Sequence, residues 1–225
     1  ARTLRLGALD LDEPSELNDT LGLAFDELFE SGDLNLLVHL GYSENWMIQG
    51  VPSGSVDGRS TYGQSQRFGS YRGEGETRCE SGRCSVGFAP DSNDRRLTIY
   101  VRDSGTSTHM DQCVYQVLEL MDVAIQVDID VDDPEQIDSS IRITGLLSES
   151  TASAFVMSDG ADLYDVLARS GMEMNSRSTD GRVDGWRLSF VAQGTEVIFD
   201  NDPGARFSQI PRDPSDGNAD NGACP

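Results

Sequence analysis

Val123-Ala-Ile-Gln-Val-Asp-Ile-Asp-Val131 decides the fold class. Apolar and small or polar side chains alternate along it, the period of a strand with one buried face and one wet face. Val123, Ile125, Val127, Ile129 and Val131 share the first face, and Asp128, Asp130 and Asp132 share the second. Upstream, Val114 to Met121 reads as a separate run or as the first half of one long bent strand. The signal recurs on both sides. Leu97, Ile99 and Val101 alternate with polar partners, and Ile141-Arg-Ile-Thr144 resumes the pattern after an Asp133-Pro134 break. Residues Leu34 to Leu40 read as a strand with Asn45 to Val51 as its hairpin partner, and Trp186 to Val191 with Thr195 to Phe199 as a hairpin about Gln193-Gly194. The chain is therefore mainly β, an antiparallel sheet or β-sandwich.

Two helices are expected beside it. Leu17, Leu21, Phe25, Leu28 and Phe29 fall on one stripe, which predicts an N-terminal amphipathic helix over residues 15–30, with Ser15 as its cap and Ser31-Gly32 as its stop. A second short helix is predicted near 159–170, with Leu163, Val166 and Leu167 on one side and Gly171 ending it. No internal repeat divides the 225 residues, and a single exported domain over 1–225 is expected.

The charge balance narrows the partners. There is no lysine: all 17 basic side chains are arginine, against 39 acidic ones, for a net charge of −22. Phosphate would be repelled over most of such a surface, which argues against nucleic acid as a partner. No apolar run approaches the roughly 20 residues of a membrane helix, so no membrane span is expected. Ala1 reads as the new terminus left by a removed signal peptide, which places the protein outside the cell or at its surface.

Four cysteines, Cys79, Cys84, Cys113 and Cys224, suit two disulfides in an exported chain. Cys79 and Cys84 flank a turn-like insert and suggest a local bridge, leaving Cys113 for Cys224. The latter lies in an Asp/Gly/Asn/Pro-rich tail at about 200–225. Zinc is the rival reading, but the cysteine spacing fits no common finger.

Residues 50–88 differ from the rest. Nine glycines, many serines and five arginines sit there with little apolar periodicity, in the one stretch that is not acidic. It reads as a loop or arm. Arginine forks and aromatic rings at Arg59, Tyr62, Arg67, Phe68, Tyr71 and Arg72 suit a sugar face or a carboxylate-rich surface, and they are the candidate binding residues.

Other chemistry is sparse. Asp128, Asp130 and Asp132 are the candidate calcium ligands, although an EF-hand glycine and its final glutamate are missing. Otherwise no cofactor is expected. Asp103-Ser-Gly-Thr106 matches the aspartic-protease string, but Arg102 precedes it where those enzymes carry an apolar residue, and no second copy exists. His39 reads as half-buried packing, and His109 follows a Ser/Thr-rich turn without a nucleophile elbow. An enzyme is the minority reading. The order of parts, with Asp33-Leu-Asn-Leu-Leu37 after the opening helix, resembles exported proteins of GC-rich Gram-negative bacteria and implies nothing about activity.

The expected function is thus that of an exported, non-catalytic structural or surface protein. It would associate with copies of itself into a filament or surface layer through the 50–88 arm. The alternative is a monomeric glycan- or ligand-binding β-sandwich, calcium-dependent if the aspartates ligate; a secreted hydrolase using Asp103 and His109 comes third.

Overall fold

The structure, a computed structural model, describes residues 2–13, 15, 18–31, 34–41, 45–64, 71–90, 96–102, 115–130, 139–157 and 160–200. Its strands are β1 (Arg2–Leu6), β2 (Asp10–Glu13), β3 (Leu36–Leu40), β4 (Asn45–Val56), β5 (Arg59–Gln64), β6 (Tyr71–Glu80) and β7 (Arg83–Pro90). They continue with β8 (Leu97–Arg102), β9 (Tyr115–Asp130), β10 (Ser139–Ser148), β11 (Ser176–Arg177) and β12 (Asp184–Asp200). Three short helices accompany them: α1 (Leu23–Ser31), α2 (Glu149–Ala154) and α3 (Leu163–Arg169).

The described part of the alternating stretch, Val123–Asp130, forms the second half of β9, and Val131 and Asp132 lie outside the described residues. Val123, Ile125, Val127 and Ile129 are buried, and Ala124, Gln126 and Asp128 are exposed. The run before it belongs to the same strand. Leu118 and Leu120 are buried ahead of the junction and Val123 after it, so the pattern changes phase at Asp122, whose φ is 49°. The pairing with β10 shifts register at the same place, between Thr144 and Leu146. That is a β-bulge, and it bends the strand. Gly145 belongs there because a Cβ on it would stand 2.9 Å from Cβ of Leu120.

Bent strands make one curled, mainly antiparallel sheet, the first of the two expected arrangements. In ladder order β1, β3, β4, β6, β7, β9, β10 and β12 each pair antiparallel with the next, and β12 pairs back with β1. β7 and β8 share one flank of β9, beside residues 125–130 and 115–120 respectively. β2 carries on the line of β1 along β12. The sheet's concave face holds a core of mostly aliphatic side chains drawn from nearly every strand, from Leu4 to Ala192. Arg142, Gln126 and Asp128 lie on the opposite, wetter side.

The shortest join in that ring of eight strands is between β4 and β6, three residue pairs long, Asn45–Met47 with Gly73–Tyr71. Just beyond it the buried side chain of Gln49 continues the wall. Its amide nitrogen donates to the carbonyl of Tyr100 in β8, and its oxygen accepts from the Tyr100 N–H at 3.0 Å. A primary amide presents one donor and one acceptor side by side, as a neighbouring strand does. The side chain thus stands in for a missing ladder step.

Two expectations are corrected along the backbone. The 186–199 hairpin does not form: β12 runs unbroken through Gln193-Gly194 and passes from β10 on to β1. Gly194 serves close packing instead of a turn, since a Cβ there would lie 2.6 Å from Oγ of Ser139. The 50–88 stretch is not a loop either. It holds the end of β4, all of β5 and β6, and most of β7. Its Asp57-Gly58 and Ser81-Gly82 pairs take positive φ at both positions, which closes two tight hairpins.

At the N-terminal end, α1 is shorter than the predicted 15–30 helix. A single wider turn, Asn18–Gly22, precedes it, and Oδ1 of Asn18 accepts the Leu11 N–H at 2.8 Å. Leu21, Phe25 and Phe29 are buried, with the Phe25 ring edge-on to Phe190 at 5.7 Å; Ser15 is a lone described residue ahead of this turn, and Leu17 lies outside the described residues. The second helix is α3, capped by the Asp162 carboxylate on the Asp165 N–H. Leu163 and Leu167 are buried on it and Gly171 follows at φ 72°.

Candidate functional site

The outer face of β1, β3, β4 and β12 carries a second, smaller core. In β3, Leu36 and Val38 belong to the main cluster, while Leu37, on the opposite face, packs with Ile48, Tyr62 and Val197. Period two forces the split: neighbours along a strand point to opposite sides. What covers Leu37 is the chain's own β4–β5 hairpin. β4 leaves the sheet wall at Gly50, where a Cβ would come within 2.5 Å of Cδ1 of Leu37. A register shift between Pro52 and Gly54 bends it further. β5 then reaches the far end of β12 and pairs with it in parallel, Thr61–Gly63 against Ile198–Asp200.

Arg5 fastens this hairpin from below. It lies on the outer face between Leu4 and Leu6, both inward and buried. Its guanidinium sits over the Tyr62 ring, 5.8 Å from the centroid. Nε donates to Oδ1 of Asn35 at 3.0 Å, and a terminal nitrogen donates to the Phe29 carbonyl at 3.1 Å. That carbonyl is in the last turn of α1, where no intrahelical partner remains. One side chain therefore ties α1, the residue before β3 and β5 together.

Beside the small core lies an aromatic group. His39 stands across from Thr3 on one side and Trp46 on the other. Thr3 Oγ1 and His39 Nδ1 share a hydrogen bond at 2.8 Å. The imidazole centroid is 5.1 Å from the Phe199 ring and 6.1 Å from the Trp46 ring. All three rings are half-buried. Burial keeps the His39 pKa below its ordinary 6.5, with the chain's amino group adding to the effect.

The candidate residues read from the sequence scatter. Tyr62 is only 8% exposed, so it is a wedge in the small core and offers no open face for stacking. Arg59 is exposed near the hairpin tip, where every residue from Gly54 to Ser60 is exposed and Val56 is 53% exposed. Tyr71 and Arg72 open β6, paired with Met47 and Trp46. Arg67 and Phe68 lie outside the described residues.

No family model matches the chain, and no curated protein or solved structure matches it either. Its function has to be argued from its own geometry.

The acidic ladder stays on the outer face of β9. Asp128 accepts from the Gln126 amide at 3.2 Å, and Asp130 faces Arg83 at 3.8 Å. Among the described residues no group of three His, Cys, Asp or Glu is placed to hold a metal ion, and Asp132 lies outside them. So do Asp103, His109, Cys113, Cys224 and the tail from 201 on. Cys79 and Cys84 are bonded across the β6–β7 hairpin. No helix among the described residues is long and apolar enough to cross a membrane.

Sequence reasoning missed Arg5, Leu37, Trp46 and Phe199. One signal was present: Leu36-Leu37-Val38 is apolar in both phases, the mark of a strand covered on both faces.

Proposed function

We propose that this is an exported, non-catalytic structural or surface protein that self-associates through the 50–88 stretch. The β4–β5 hairpin is the part that crosses to a neighbour. One observation carries the reading: the hairpin is seated on its own subunit by a four-residue cluster separate from the main core, and by a ladder of three residue pairs. A neighbouring copy presents the same seat. Moving the hairpin there keeps its seat contacts, so exchange costs little beyond the opening. Run head to tail, such exchange does not close and produces a filament or layer; Arg67, Phe68, Tyr71 and Arg72 follow the hairpin and would meet the neighbour's acidic surface.

A charge of −22 on each copy opposes contact, so salt should promote assembly. Light scattering in dilute buffer and in molar salt tests this. Particles of two or more chains, growing with salt and protein concentration, are expected. A single chain's mass under every condition would end the proposal.

A second reading rests on the half-buried rings of Trp46, His39 and Phe199, which present aromatic surface suited to a sugar face. On it the protein is a monomeric glycan binder, with calcium at Asp128 and Asp130 as its candidate ion. Glycan-array binding that is lost on Trp46→Ala would favour this reading over assembly.

A further inference from the structure

The three-pair ladder that seats β5 is centred on Phe199, and the imidazole of His39 packs against that ring. His39 is held by Thr3 from β1, meets Trp46 from β4, and packs on Phe199 from β12. Phe199 in turn pairs with Tyr62 in the parallel ladder. Trp46 and Phe199, the two rings it meets, pack in turn against the small apolar core of Leu37, Ile48, Tyr62 and Val197. The charged residues that the register places nearest are Arg5 of β1, two residues along from Thr3, and Arg72 of β6, opposite Trp46. Both are cationic, and no described carboxylate faces the ring to compensate a positive charge on it.

We infer that His39 is a pH-sensitive latch on the β4–β5 hairpin. Neutral, the ring fills the space under Phe199 and fixes the end of β12 on which β5 rests. Protonated, it turns toward water, and the β12 end and the hairpin lift together. This rests on the reading of the hairpin as an exchangeable arm and adds its regulation: mild acid is the condition that releases it. The sign is set by the surroundings, because a half-buried cation without a counter-ion is disfavoured.

Two readouts taken together test the latch. The first is amide hydrogen exchange of Thr61–Gly63, expressed as protection so that the intrinsic pH dependence of exchange is divided out. The second is native mass, and both are followed from pH 7.5 to 5.5 for the intact protein and for His39→Gln. The glutamine stays neutral throughout and can keep the bond to Thr3.

In the intact protein, protection of β5 should fall several-fold on acidification while that of Val123–Ile129 holds, and the native mass should rise. In His39→Gln both should stay flat. Loss of protection with the same profile in His39→Gln overturns the latch, as does unchanged protection in the intact protein. Loss that depends on His39 without any rise in mass upholds the latch and removes the assembly reading. If His39→Gln fails to fold, the His39 ring titration in the intact protein decides the matter: protection of β5 must fall with the same midpoint, and a different midpoint overturns the latch.

Discussion

The guanidinium of Arg5 lies over the ring of Tyr62, and the same group caps the last turn of α1. A residue near the start of the chain therefore packs against a hairpin some sixty residues later. Tyr62→Ala removes the largest side chain of the small core. It should cost about 2–4 kcal/mol of stability in urea unfolding if the hairpin unfolds with the rest. If the hairpin opens on its own, the global value will hardly move while β5 loses its exchange protection. A variant unchanged by both measures would contradict the packing described for Tyr62.

Gln49 and Tyr100 carry a second expectation. Gln49→Leu keeps the volume but leaves the N–H and C=O of Tyr100 without these partners at a buried seam. The loss should be about 1–3 kcal/mol, the net contribution of the two hydrogen bonds removed. A loss under about 0.5 kcal/mol, within the range of an ordinary surface substitution, would mean that water replaces the amide and the seam is open.

The pH dependence follows from His39. Its folded-state pKa lies below 6.5, so the unfolded chain binds the proton more readily. The contribution is fully present above 6.5 and is lost as pH falls from there through the folded-state value. The imidazole resonance of His39, followed by NMR, should show a midpoint below 6.5. A midpoint at or above that value would contradict the burial of the ring.

The Cys79–Cys84 bridge closes a small loop, its cysteines five residues apart in sequence. Chain entropy then gives it a contribution of about 2 kcal/mol. A Cys79→Ser, Cys84→Ser double variant should lose no more than that and keep the β6–β7 pairing. Collapse of the fold in that variant would show that the bridge does more than shorten the unfolded chain.

Much of the sheet was legible, and its failures share a cause. β9, β8 and β10 declare themselves because one face is buried and the other wet, so composition follows the pleat. Phe25, Phe29, Leu163 and Leu167 mark their helices for the same reason. β5 and β6 are rich in Gly, Ser, Thr and Arg, and their strand character comes from pairing with neighbours, which no local pattern records. Gln193-Gly194 looks like a turn and is none, because its glycine answers to Ser139 and Ile141 across the sheet. The hairpin seat was hidden similarly. Tyr62 and Arg5 are far apart in sequence, and each taken alone resembles a surface residue.

The central claim is that the β4–β5 hairpin crosses between copies, and one crosslinking measurement reaches it directly. Thr61 and Ile198 are register partners in the parallel ladder. Thr61→Cys and Ile198→Cys are placed in separate chains, mixed in salt at pH 5.5, returned to neutral pH and oxidised. Exchange predicts a band of two chains' mass on an unreduced gel, formed in the mixture and far weaker in either variant alone. Single chains throughout, while the double variant Thr61→Cys, Ile198→Cys closes its bridge within one chain, would show that the hairpin stays at home.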